Sequence, residues 1–211
     1  YASSFSVYSA NGFNLEYTSG TYSGYLTLQI AEVDGDSAHE LICNLTRGQD
    51  EIDTFVLKGS AGYVSTYNRS YSVPQGSSTS YYRLSPFEVT GDAAMDLAQS
   101  ENGVVRFYSG SNGVSIGALG GGQFVYGASN DYGPDSRPYG ARDLDGDGQL
   151  EVLSVQNQYD PSTFTYASSF SVYSANGFNL EYTSGTYSGY LTLQIAEVDG
   201  DSAHELICNL T

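Results

Sequence analysis

Positive charge is what this chain has least of. Seven Lys and Arg stand against 24 Asp and Glu, for a formal net charge of −17 over 211 residues. A nucleic-acid partner requires a basic face, and so few bases do not build one. Long apolar runs are missing as well: no stretch of 18 apolar residues exists, so no helix of this chain spans a membrane. Strong helix formers are sparse, and no capped amphipathic run is long enough to nominate a helix. Catalytic motifs are equally thin. The run Gly120-Gly121-Gly122 lacks the Lys-Ser/Thr ending of a phosphate loop, and no nucleophile motif stands beside His39 or His204. The chain reads as a non-enzyme.

What is present is a β vocabulary. Gly, Ser, Tyr, Thr and Asn dominate, with alternation such as Tyr25-Leu-Thr-Leu-Gln-Ile30 and Phe124-Val-Tyr126. Many short strands separated by Gly and Asn turns predict an all-β chain, and 40% hydrophobic residues over this length permit a sizeable core. The 20 tyrosines and nine phenylalanines are read as filling sheet interfaces and cross-strand pairs, in preference to sugar-stacking platforms.

The most specific stretch is Asp143-Leu-Asp-Gly-Asp-Gly-Gln-Leu-Glu151. Carboxylates occupy loop positions 1, 3, 5 and 9, with Gly148 at position 6. In a tight loop Asp143, Asp145, Asp147 and Glu151, with the carbonyl of Gln149 at position 7, surround one hard cation. Calcium takes six to eight oxygens at about 2.3–2.6 Å, and the loop offers them without nitrogen or sulfur. An EF-hand would need a Glu at position 12 and flanking helices. Position 12 is Ser154, and Val152-Leu-Ser-Val155 reads as a strand. The loop is therefore an EF-hand-like calcium loop set between strands.

The loop recurs. Glu32, Asp34, Asp36, Ala38 and Glu40 occupy the same positions in 32–40, and Glu197, Asp199, Asp201, Ala203 and Glu205 in 197–205. Loop 88–96 keeps Glu88, Asp92 and Asp96 but carries Thr90 at position 3. Starts lie 56, 55 and 54 residues apart, a propeller-blade or solenoid period. Fifteen of the 24 acids sit in these loops, leaving nine against seven bases, so the acidity is local. Bound Ca²⁺ would offset it, and empty loops would repel themselves.

The unit resembles the FG-GAP/VCBS class of calcium-loop β-propeller repeats. The likeness rests on the 143–151 loop and on the hairpins Val105–Gly113, Phe5–Gly12 with its copy at 170–177, and more loosely Phe55–Gly62. It implies four-stranded blades with calcium pinning the loop between two strands, in a closed propeller or an open tandem array. Thr90 in place of an acid and Ser37 in place of glycine are the departures from that pattern.

A longer identity overlies the short one. Residues 1–46 recur letter for letter as 166–211, a shift of 165 residues. Residues 1–165 thus read as one unit of three blades, with loops at 32–40, 88–96 and 143–151. Residues 166–211 begin the next identical unit, with its loop at 197–205. No leader or anchor is visible, and the chain reads as a window on a longer array. A catalytic site needs one copy, whereas a polymer needs the same interface repeatedly. The expected function is structural: an extracellular or cell-surface filament or array of calcium-stabilised blades, its partners being copies of itself. The alternative is a carbohydrate-binding propeller, a lectin or adhesin.

Asn44-Leu-Thr46, Asn68-Arg-Ser70 and Asn209-Leu-Thr211 have the form of N-glycosylation acceptors, with Asn44 and Asn209 placed at strand ends where a glycan has room. Cys43 and Cys208 are one position seen twice on the strand after the loop. It reads as a small buried hydrophobe or as the site of a disulfide between repeats. Hairpins are expected to turn at Asn11-Gly12 and Asn112-Gly113. Ser72–Ser80 is expected to be a surface loop, Gly117–Gly122 to be flexible and Asn130–Tyr139 to be the longest irregular stretch.

Overall fold

The structure is a computed structural model, and it describes all residues except 49, 73–81, 93, 102–103, 121–123, 126–140, 161 and 202. The described residues are all-β, with one 3₁₀ turn at Gly59–Ala61 and no α-helix. The chain opens on four short strands, β1 (Ala2–Ser3), β2 (Ser6–Tyr8), β3 (Leu15–Thr18) and β4 (Tyr22–Ser23), with β1 pairing β4 and β2 pairing β3. The first complete sheet is the antiparallel meander β5 (Tyr25–Ala31), β6 (Glu40–Arg47), β7 (Glu51–Lys58) and β8 (Val64–Ser72). The second is β9 (Leu84–Pro86), β10 (Leu97–Glu101), β11 (Val104–Tyr108) and β12 (Ser115–Gly120). The third is β13 (Phe124–Val125), β14 (Glu151–Asp160), β15 (Thr165–Ser174) and β16 (Leu180–Thr183), with β17 (Tyr187–Ser188) also pairing β15. A final pair, β18 (Leu191–Ala196) and β19 (Glu205–Leu210), completes the described strands.

Each acidic nonapeptide joins the first strand of a sheet to the second, and the register beyond it is the same three times. The residue following the loop pairs with the second residue before a small one: Leu41 with Leu57, Leu97 with Tyr108, and Val152 with Tyr173. The small residues are Gly59, Gly110 and Ala175. At Gly110 the requirement is steric, because a Cβ there would fall inside the van der Waals envelopes of Met95 O and Val33 O. The hairpin tip of the second sheet therefore sits directly on two successive loops.

The sheets are built for stacking. The second strands carry apolar residues on both faces, which the period-2 geometry of a strand turns into two buried surfaces. Leu41, Cys43 and Leu45 meet Phe5, Val7, Tyr17 and Tyr22 of the opening hairpin. From the other face of β6, Ile42 joins Val56, Leu84, Leu97 and Tyr108 in a cluster shared by the first and second sheets. Phe87, Val105 and Phe107 then pack with Val152 and Phe178, and Leu153 and Phe170 with Leu191 and Leu193. Aromatic pairs lie at these contacts: Tyr22 with Phe55, Tyr67 with Tyr108, and Phe107 stacked on Phe178 at 4.7 Å between centroids. Such pairs add about 0.5–1.5 kcal/mol beyond their burial.

Three expectations change. The β2–β3 connection is not a two-residue turn: Ser9 N donates to Asn14 O, and Phe13 takes a left-handed φ of 51° after Gly12. Gly117–Gly120, expected to be flexible, continue β12, because its backbone pairs with Val104–Phe107 and needs no side chain to do so. Cys43 is buried as expected while its copy Cys208 is exposed; both are free thiols. The irregular stretch expected at 130–139, and all but Ser72 of the one at 72–80, lie outside the described residues.

Candidate metal centre

All four loops fold on the same ladder of side-chain-to-backbone hydrogen bonds. The position 1 carboxylate accepts the position 4 amide: Gly35 to Glu32 at 2.6 Å, Gly91 to Glu88 at 2.6 Å, Gly146 to Asp143 at 2.7 Å and Gly200 to Glu197 at 2.5 Å. The position 9 carboxylate reaches back to the position 2 amide: Val33 to Glu40, Val89 to Asp96, Leu144 to Glu151 and Val198 to Glu205. The position 5 carboxylate takes the position 7 amide, from Ala38 to Asp36, Ala94 to Asp92, Gln149 to Asp147 and Ala203 to Asp201. Asp and Asn bond their own backbone two residues on, which is why these sequences turn where they do. Position 6 takes a left-handed conformation in the two loops where it is described. Gly148 takes it freely at φ 85°, whereas Ser37 is held there at φ 70° against its Cβ.

The ladder converges the acids. Oxygens of Glu32, Asp34 and Asp36 lie within 4.8 Å of one another, as do those of Asp143, Asp145 and Glu151, and of Glu197, Asp199 and Glu205. Asp147 and Asp201 stand outside their groups, engaged with the backbone. Loop 88–96 forms no such group among the described residues. There the Thr90 hydroxyl lies 3.2 Å from Glu88 Oε1 and 3.0 Å from Asp96 Oδ2, filling the space between the two carboxylates.

Electrostatics mark the sites as short of positive charge. Burial, joined by the charges of Asp145, Glu181 and Asp143, pushes the Glu151 carboxyl up to about 7, although the Leu144 amide works against it. Burial likewise raises Glu40, against the Val33 and Gly59 amides, and Glu88 and Asp96, against amides of their own loop. Glu40 is 1% exposed, and among the described residues its Oε1 meets no hydrogen-bond partner. An orphaned buried carboxylate oxygen beside three converging carboxylates is a donor set that fits a hard cation such as Ca²⁺. Asp36 runs the other way. The Ser60 hydroxyl, the Ala38 amide and the Lys58 ammonium lower its carboxyl to about 2.

Successive loops touch. The position 8 amide of one loop donates to the position 1 carbonyl of the loop before it, Met95 to Glu32 and His204 to Asp143, both at 2.9 Å. At the middle junction Ala141 takes over, donating to Glu88 at 2.7 Å. Folding of one loop is thereby coupled to the next.

The acceptor asparagines divide. Asn68 and Asn209 are exposed. Asn44 is not at an open strand end: it is 1% exposed, with Nδ2 donating to Leu84 O at 3.0 Å and Oδ1 accepting from Leu84 N at 2.7 Å. Both amide atoms are occupied by the neighbouring sheet, and the folded chain has no room for a sugar there. This clamp and the placement of Lys58 beside loop 32–40 are the contacts that the loop motif alone does not reveal. Aligning the hairpins would have flagged Lys58, which stands where the other two carry Ser109 and Ser174. No family model matches this chain, and no curated protein matches it.

Proposed function

We propose that the chain is a structural repeat protein of the extracellular space or cell surface, whose stacked sheets are clamped by calcium and continue from copy to copy as a filament or array. In this reading the four-stranded sheets are blades of the FG-GAP/VCBS kind, and a glycan attaches at the exposed Asn68. One observation carries the proposal: three complete sheets repeat one acidic loop and one register beyond it, and each packs on the next through a shared apolar cluster.

Head-to-tail union of two copies in the register of the three complete sheets would set Leu206 opposite Tyr8, Ile207 opposite Val7 and Cys208 opposite Ser6. A non-closing head-to-tail contact of this kind produces filaments. The test is a Ser6→Cys variant treated with a short thiol-to-thiol cross-linker in the presence of calcium. A ladder of multiples of the chain mass is the expected result, and it should be absent from the unaltered chain, in which Cys208 has no partner. A bridge confined within single chains would instead mean a closed ring, the form expected of a lectin or adhesin. Absence of any bridge would remove the filament.

A further inference from the structure

We infer that Tyr166 and Tyr190 form a site of oxidative cross-linking, where a peroxide-driven coupling of two phenols joins the third sheet covalently to the strand that follows it. The two rings stand 5.1 Å apart between centroids, at 81° to each other. Tyr166 lies near the start of β15 and Tyr190 immediately before β18, 24 positions on. The backbone under both rings is pinned. Gly189 N donates to Tyr166 O at 2.8 Å, and the Ser168 hydroxyl donates to Gly189 O at 2.6 Å. β17 adds the pairs Ala167 with Ser188 and Ser168 with Tyr187. Neither ring has to be carried into place, and groups preset in this way react with the advantage of an intramolecular step.

Access selects this pair from the other tyrosine pairs among the described residues. Tyr17 and Tyr63 lie at 4.9 Å, but both are half-buried, and burial pushes the Tyr63 phenol up. Tyr67 and Tyr108 lie at 6.0 Å with exposures of 9% and 1%. Tyr190 is 41% exposed, and its equivalent Tyr25, which stands in a complete four-stranded sheet, is 57% exposed. The exposed ring of Tyr190 meets the oxidant, and the half-buried ring of Tyr166 meets its partner. Composition keeps the radical among tyrosines: the chain has 20 of them, one methionine and no tryptophan.

The oxidant is hydrogen peroxide activated by a haem peroxidase. One peroxide takes a hydrogen atom, a proton with its electron, from each phenol and leaves as two waters. The two phenoxyl radicals join through a bond between one Cε of each ring. The hydrogens on those two carbons then move to the oxygens and restore both phenols. Tyrosine is oxidised, peroxide is reduced, and the pair is lighter by two hydrogens.

The experiment treats the Cys208→Ser chain, in which the exposed thiol cannot compete, with a haem peroxidase and one equivalent of hydrogen peroxide. Dityrosine fluorescence is followed, and the product is cleaved at glutamate for mass spectrometry. Cleavage after Glu181 separates the two tyrosines, so the bridge appears as peptides 152–181 and 182–197 joined with the loss of two hydrogens. Fragmentation is expected to place the bridge at Tyr166 and Tyr190. Diluting the chain about tenfold should leave the yield per chain unchanged, because a tethered partner keeps its effective concentration. Tyr190→Phe keeps the ring and removes the phenol, and it should abolish the bridge with its fluorescence; Tyr17→Phe should leave both. Bridges found only between chains, a yield that falls in proportion to dilution, or no bridge at all would overturn the inference. Fluorescence untouched by Tyr190→Phe would overturn it as well.

Discussion

Asn44→Ala isolates what joins one sheet to the next. Asn44 lies on β6 and Leu84 on β9, with exposures of 1% and 0%. The amide satisfies both backbone groups of Leu84, at 2.7 and 3.0 Å. Alanine leaves a buried N–H and a buried C=O without partners. Each such group costs about 1–3 kcal/mol, so the loss is roughly 2–6 kcal/mol. That is a large share of the about 5–15 kcal/mol by which domains are stable. At about 2–4 °C per kcal/mol for a chain of this size, a mid-range loss of about 4 kcal/mol lowers the melting temperature by about 8–16 °C. Asn157 repeats the clamp on Leu191 at 2.9 and 3.2 Å but is only partly buried, so Asn157→Ala should cost less. Asn209 has the same sequence neighbours as Asn44 and is exposed. Its alanine variant should stay within about 0.5 kcal/mol of the parent. Calorimetry of the three variants at fixed calcium is the assay. Equal losses at Asn44 and Asn209, or a loss below about 1 kcal/mol at Asn44, would refute the role of the clamp.

Two further outcomes follow from the same surroundings. Burial pushes the Cys43 thiol up to about 12, whereas Cys208 is exposed. Because the thiolate is the nucleophile, iodoacetamide at pH 8 should label Cys208 and spare Cys43 until the chain is denatured; mass spectrometry showing both labelled at one rate would contradict the buried second strand. Chelating calcium should lower the melting temperature, because removal of a ligand present at about 100 times its Kd costs about 2.7 kcal/mol per site. Asp145→Ala should abolish part of that shift and Thr90→Ala should leave it intact; equal effects would count against an ion at 143–151.

The loops, their spacing and the strands around them were legible because short-range chemistry writes them. Asx-type bonds two residues apart need only Asp at alternate positions, and strands need only alternation. What joins separate sheets was not legible in that way. Asn44 read as a glycan acceptor because its triplet is local, while its partner Leu84 is 40 residues away. Gly117–Gly120 read as flexible because glycine is a poor strand former, yet here the neighbouring strand supplies the order. The aromatic-rich composition was informative about where the rings go but not about which ring meets which: Phe107 and Phe178 lie 71 positions apart.

The duplicated segment turns this difficulty into a measurement. Local sequence is held constant between 1–46 and 166–211, so any difference between the copies is due to their neighbours alone. Cys43 is buried and Cys208 exposed; Glu40 is sealed and Glu205 partly open; Ser3 is partly open and Ser168 sealed. Each copy is closed where the other is open, and among the described residues β2 pairs with β3 and β19 with β18. A strand edge with unpaired N–H and C=O groups is a template for another strand. The two copies therefore separate what the segment's own sequence fixes, its hairpins and its loop, from what only a neighbouring sheet supplies, the burial of its strands.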